Sequence, residues 1–171
     1  MTTMQAIRER RSIRKFKAGA EVSQEQIELL LEAAMLAPSA CNTRPWEFIV
    51  VKNRELLDQI AATHPYAKML STASAAIIVC ALPEAQLNPP IAEGFFPQDC
   101  GAATQNILLA AVELGLGTCW CGVYPKDARA AEFREMLGMQ SVPFCVIAVG
   151  VPDESPAPRG KFEESKVSYR L

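Results

Sequence analysis

The stretch from Gly101 to Leu114 limits the architecture more than any other part of this chain. Ala103, Ile107, Ala110 and Leu114 mark one face of a helix, while Ala102, Leu109 and Val112 mark others. A helix that is apolar nearly all round has to be buried on all sides. A chain of 171 residues is most simply one domain, spanning 1–171. In a chain this small, part of the burial of that helix is expected from a second subunit. Asp99 is placed to cap it, and Gly115 and Gly117 to end it.

The elements around this helix read as a mixture of helices and short buried strands. Thr2 with Gln5 forms a weak capping box for a short first helix that turns Met4 and Ile7 inward. Ser23 with Gln26 forms a better one, followed at helical spacing by Ile27, Leu30, Leu31 and Ala34. That helix must stop near Pro38, and residues 38–46 then read as a small, polar loop with two prolines, suited either to close approach of a ligand or to an ordinary helix-to-strand turn. Strands are expected at 48–51, 75–81, 118–123 and 144–149. Asn53 caps a helix carrying Leu56, Leu57 and Ile60, and Asp127 starts another carrying Ala131, Phe133 and Leu137, stopped by Gly138. The proline-rich stretch from Pro83 to Pro97 contains Phe95 and Phe96 and reads as a loop, either a lid or a piece of core. Residues 151–171 turn sparse in apolar side chains, as either a frayed tail or an arm that packs down.

Charge is local rather than general. The chain has 17 Lys+Arg against 19 Asp+Glu, a formal net charge of -2, which offers nothing to nucleic acid or an anionic membrane surface. Six of those 17 basic residues nevertheless fall between Arg8 and Lys17. Guanidinium forks and the Ser12 hydroxyl in one short segment suit a phosphate; a solvated basic face at a helix end is the plainer reading. Arg159 and Lys161 would add a second pair of donors if the tail packs against the body.

The same residues exclude familiar chemistries. His64 is the only histidine, and no G-x-S-x-G elbow, H-E-x-x-H motif or Walker A sequence supports a hydrolase, metalloprotease or P-loop enzyme. Gly115-x-Gly117 follows a helix and lacks a third glycine, so the dinucleotide fingerprint fails. Cys119-x-Cys121 has no second Cys/His pair at zinc-finger spacing, and no metal is expected. The six cysteines sit mostly in apolar segments, as reduced thiols of a cytoplasmic protein would. There is no apolar run long enough to span a bilayer. Phosphate donors without an evident acid, base or nucleophile suit an enzyme whose cofactor carries the chemistry.

Five segments occur in one order: Arg10-Arg11-Ser12-Ile13-Arg14, Ala37-Pro38-Ser39-Ala40-x-Asn42-x-Arg44-Pro45-Trp46, Gln105-Asn106-x-Leu108-Leu109-Ala110-Ala111, Gly115-Leu116-Gly117-Thr118-Cys119-Trp120 and Arg159-x-Lys161. As an ordered set they resemble the FMN-dependent nitroreductase family over nearly the whole chain. The resemblance implies an α+β fold, a mostly antiparallel sheet flanked by helices, in an intertwined homodimer with 151–171 as an exchanged C-terminal arm. It implies FMN at the interface. Arg10, Arg11, Ser12 and Arg14 would hold it, with Arg159 and Lys161 completing the phosphate shell. Pro38, Ser39, Ala40 and Asn42 would reach it from the partner chain. Trp120, Cys121 and Gly122 would lie beside the ring, and Arg14 and Lys68 would stabilise negative charge at its N1/O2 edge. The implied activity is hydride transfer from NADH or NADPH, in two steps, to nitroaromatic, quinone or similar flat acceptors. The alternatives are an FMN-dependent biosynthetic oxidase, dehydrogenase or dehalogenase, and a non-enzymatic FMN-binding redox sensor. The sequence departs from the family at Arg44, where many members carry glutamine, and places Cys41 inside the flavin-contacting loop.

Overall fold

The computed structural model describes residues 1–157, 159–160 and 162–170. Four strands form one sheet in the order β1-β2-β4-β3: β1 Trp46–Val51, β2 Ala75–Ala81, β3 Gly117–Gly122 and β4 Val142–Gly150. Every neighbouring pair is antiparallel. All seven residues of β2 are buried, because it lies inside the sheet with both faces covered. The period of two sends Ala76, Ile78 and Cys80 into one hydrophobic cluster and Ala75, Ile77, Val79 and Ala81 into the other.

Helices cover each face. On the first face lie α3 (Arg54–Thr63) with Leu57 and Ile60, and α5 (Asp127–Leu137) with Phe133. On the second lie α2 (Gln24–Met35) with Ile27, Leu30 and Ala34, and α4 (Phe96–Glu113) with Ala103, Ile107 and Ala111. The short α1 (Thr3–Glu9) precedes them. Among the described residues no helix is long and apolar enough to cross a membrane.

Both capping boxes form as the sequence predicts. Thr2 Oγ1 accepts from Gln5 N at 3.2 Å while Gln5 Oε1 accepts from Thr2 N at 2.8 Å, and Ser23 and Gln26 repeat the exchange at 3.1 and 3.0 Å. The four strands also stand where expected, each beginning one or two residues earlier except β2, which matches at both ends.

Three expectations need correction. Asp99 is not a cap: α4 begins at Phe96, with Pro97 in its first turn and Phe95 at the N-cap. Proline at the start of a helix has no N–H to leave unpaired, so it moves the boundary upstream and puts Asp99 inside the first turn. Met4 and Ile7 are not inward; they are 53% and 46% exposed, and Ala6 is the buried residue of α1. In α5 the inner alanine is Ala130, while Ala131 is exposed. Within one chain α4 is not covered on all sides, as the sequence reading expects: Leu109, Ala110, Val112 and Leu114 remain half-buried. The stretch from Pro83 to Pro97 is more ordered than a plain loop, with two 3-10 turns at Pro83–Gln86 and Pro90–Ala92.

Candidate functional site

The basic segment leaves α1 at Arg10 and is fastened along the sheet edge. Ile13 N donates to Thr118 O at 2.8 Å, Lys17 N to Val151 O at 2.9 Å, and Asp153 N to Lys15 O at 2.9 Å. Ser12 bridges Thr118 of β3 and Phe16 bridges Pro152, beyond β4. Ile13 and Phe16 turn inward and are buried. They rest on glycines: a Cβ at Gly117 would lie 2.8 Å from Ile13 Cγ2, and one at Gly150 would lie 2.8 Å from Phe16 Cδ1. Two inward apolar side chains thus hold the segment down while Arg10, Arg11, Ser12 and Arg14 remain at the surface of the site.

These four residues line a cavity of about 300 Å³ together with Glu154, Pro156 and Arg159. The expected return of the tail is therefore seen at Arg159, which lies some 150 positions from Arg10 in sequence. Lys161 lies outside the described residues. The arginines differ in commitment. Arg11 Nε donates to Ala157 O at 3.2 Å and its Nη1 to Arg10 O. Arg14 Nη1 makes a long contact of 3.4 Å with Ser12 O. Among the described residues the Arg10 guanidinium has no hydrogen-bond or ion-pair partner. Glu154 is the one acid in the lining, and its Oε1 accepts from the backbone N–H of Arg14 and of Lys15. Its charge is thereby spent on the backbone of the basic segment. Sequence reasoning missed Glu154, which sits among alternating prolines and charges with nothing local to single it out.

Arg14 also lines a second cavity, of about 480 Å³, with Pro65, Tyr66, Lys68, Met69, Cys119, Trp120, Cys121 and Gly122. Its walls hold two cations, two aromatic rings and a thioether, and no carboxylate. His64 ties two of these walls together: its Nε2 lies 3.0 Å from Gly122 O, and its Nδ1 accepts from Tyr66 N at 3.1 Å. That pair of partners requires the neutral ring with its proton on Nε2. Burial lowers the pKa of His64, opposed by the bond to Gly122 and assisted by Arg129. Cys121 donates to Tyr66 O at 3.0 Å. Its hydrogen bond with Cys119, together with burial, pushes its pKa up. Cys41 is exposed and the other five cysteines are buried. Among the described residues no group of three or more His, Cys, Asp or Glu is placed to hold a metal ion.

The remaining predicted residues stand apart. Pro38, Ser39, Ala40 and Asn42 belong to the turn between α2 and β1, at the opposite edge of the sheet, and line neither cavity. Three residues of this turn other than glycine have positive φ: Cys41 at +50°, Asn42 at +54° and Arg44 at +50°. Phe95 is exposed, and the ring of Phe96 meets that of Tyr124 edge-on at 5.3 Å; neither lines the two cavities.

The donor set suits a flavin mononucleotide. Guanidinium groups and a hydroxyl gather where a phosphate would be bound, and the neighbouring aromatic and cationic cavity suits a flat ring that gains negative charge on reduction. A protein of Methanothermobacter thermautotrophicus, named as a candidate NADH dehydrogenase/NAD(P)H nitroreductase, is 46% identical over 169 residues, covering 98% of this chain and 86% of its own. The crystal structure of a protein of that same description from Bacteroides thetaiotaomicron superposes with a TM-score of 0.90 at 41% identity, covering 98% of this chain and 96% of its own. A candidate nitroreductase from Desulfovibrio desulfuricans, solved in complex with FMN, superposes with a TM-score of 0.87 at 31% identity, covering 100% of this chain and 98% of its own. The nitroreductase family model matches residues 7–64 and 61–151. On its sequence, its sheet and its relatives, this chain belongs to the nitroreductase family.

Proposed function

We propose that the protein is an FMN-dependent NAD(P)H oxidoreductase of the cytoplasm. It passes electrons to nitroaromatic, quinone or similar flat acceptors. The observation that carries this reading is the convergence of Arg10, Arg11, Ser12, Arg14 and Arg159 on one cavity, with Arg14 shared by the aromatic cavity beside it. When bound, FMN supplies the centre that accepts and then donates a hydride.

The chain's own residues bind and orient. Arg10, Ser12 and Arg159, with Lys161, hold the phosphate. Arg14 and Lys68 put positive charge at the pyrimidine edge of the ring, where negative charge gathers on reduction. The backbone at Trp120, Cys121 and Gly122, which lines the second cavity, would lie beside the ring. Donor and acceptor occupy the same open space in turn, which makes the kinetics ping-pong. The demand on the protein is to stack each partner at near-attack distance, and that needs no dedicated base. Pro38, Ser39, Ala40 and Asn42 complete the site from a second copy of the chain, in a homodimer. The half-buried apolar side of α4 and the exposed Met4, Ile7, Met35 and Leu36 supply a surface for that copy.

The test is a visible absorption spectrum of the purified protein, taken before and after NADH or NADPH is added without oxygen. The reading predicts a flavin spectrum that bleaches with one donor and returns when a quinone or nitroarene is added. A flavin that stays oxidised would point to a binder or a substrate-driven oxidase. No flavin, even after FMN is supplied, would overturn the reading.

A further inference from the structure

The turn that would meet the flavin from the partner chain is strained, and its own bonds do not place it. Cys41, Asn42 and Arg44 all occupy the left-handed region, which costs energy for any residue with a Cβ. Within the turn, Asn42 N donates to Ser39 O at 3.0 Å, Thr43 N to Ala40 O at 3.0 Å and Arg44 N to Ser39 Oγ at 2.9 Å. These bonds fix its shape. Its position is fixed from outside, where Ala40 N donates to both carboxylate oxygens of Asp99, at 3.1 and 3.2 Å.

Asp99 is 6% exposed and sits in the first turn of α4, where a carboxylate also favours the helix N-terminus. One turn and two turns further on, Ala103 and Ile107 are locked in the core. Gln86, 0% exposed, donates from Nε2 to Asp99 Oδ2 at 2.7 Å. Gln86 Oε1 is the one buried side-chain oxygen or nitrogen among the described residues that has no partner. Burying an amide with half its capacity unmet is unfavourable, so a role in filling space is poorly served by glutamine. The donated bond orients the carboxylate, and the carboxylate orients the turn.

We infer that Asp99 and Gln86 are positioning residues for the cofactor, holding the turn from Ser39 to Arg44 in the strained form with which it contacts FMN. The inference rests on the function proposed above, and neither residue is assigned contact with the flavin.

The experiment compares the unsubstituted protein with Asp99→Ala, Asp99→Asn and Gln86→Met. Two readouts are taken on each: the FMN dissociation constant, from quenching of flavin fluorescence, and amide hydrogen exchange resolved by peptide. Asp99→Ala is expected to weaken FMN about tenfold or more, the scale of a lost charged hydrogen bond, and to speed exchange in 39–44 while β1 to β4 keep their protection. Gln86→Met is expected to do the same to a smaller degree. Asp99→Asn is expected to stay near the unsubstituted protein. Its amide can still accept from Ala40 N and, once the Gln86 amide turns over, can donate to the orphaned Oε1.

Unchanged FMN affinity and turn exchange in both Asp99→Ala and Gln86→Met would overturn the inference. So would a loss of FMN accompanied by faster exchange throughout the sheet, since that marks general packing. If Asp99→Ala does not fold, Gln86→Met and Asp99→Asn still decide: the inference fails unless the first loosens the turn and the second spares it. An unsubstituted protein that binds no FMN would remove the proposed function and this inference together, an outcome distinct from binding that the variants leave intact.

Discussion

Arg10 and Arg11 are adjacent in sequence and differ in what they have left to give. Arg11 is engaged by Ala157 O and Arg10 O, whereas the Arg10 guanidinium has no partner among the described residues. Arg10→Ala is therefore expected to weaken FMN by about 1.5–3 kcal/mol, the value of a charged donor, with little change in thermal stability. Arg11→Ala is expected to loosen the arm at Ala157 as well. Fluorescence titration and a melting curve on both variants separate the two effects, and full flavin retention in Arg10→Ala would remove it from the binding shell. His64 makes a different prediction. Its folded pKa is depressed, chiefly by burial, so between that value and the ordinary one of about 6.5 the unfolded chain binds more protons. Stability contributed by His64 is present above about pH 6.5 and is lost as pH falls toward its folded pKa. The difference in urea midpoint between the unsubstituted protein and His64→Gln should shrink as pH is lowered through that window. A difference that stays constant with pH would count against this account. At this scale the sequence was most legible where residue type alone carries the chemistry, as in the arginine run. Glu154 and Gln86 were hidden because their importance comes from partners far along the chain, at Arg14 and Asp99.

At the level of elements, the basic segment is shaped by the two strands it crosses. Ile13 and Phe16 lie flat because positions 117 and 150 lack a Cβ. Gly117→Ala would bring a methyl to 2.9 Å from Ile13 Cβ, a branched and inflexible point, and Gly150→Ala would also meet Ser74 N at 3.3 Å. Each is expected to destabilise the protein by about 1–3 kcal/mol through overpacking, which lowers the melting temperature by about 2–4 °C per kcal/mol in a chain of this size. Each should also weaken FMN, because the arginines ride on the displaced backbone. Unaltered melting in both variants would show that the contact relaxes freely. Capping boxes and strand centres were readable because their signals are local: a side chain three residues from its partner, or a run of β-branched residues. The start of α4 was misread because Asp99 resembles a cap, while Pro97 actually sets the boundary and leaves the carboxylate free to reach Ala40. The turn at 40–44 was read as a loop, but its three left-handed residues carry no glycine to announce them.

For the whole molecule, the incomplete cover of α4 and the separation of Pro38–Asn42 from the two cavities carry the same message. A single chain accounts for one part of the proposed site and leaves the other part facing outward. Sedimentation is expected to give a dimer, and Ile7→Glu, which charges the exposed side of α1 beside α4, is expected to shift it toward monomer and to release FMN with it. A monomeric unsubstituted protein that retains FMN would refute the shared site. Apart from the family resemblance, the residues themselves pointed to this arrangement only through a surplus of apolar side chains, since a single chain cannot display what lies against its own outer faces. Another consequence follows from the bridge between Ser12 and Thr118. Because β3 is the outer strand of the sheet, its free side is a row of backbone groups that a second copy could extend into a fibre, and the arginine-bearing segment lies across the start of that row. Trimming the N-terminus beyond Phe16 is therefore expected to precipitate the protein as well as to release FMN: the cradle proposed for the cofactor is also the guard of the sheet.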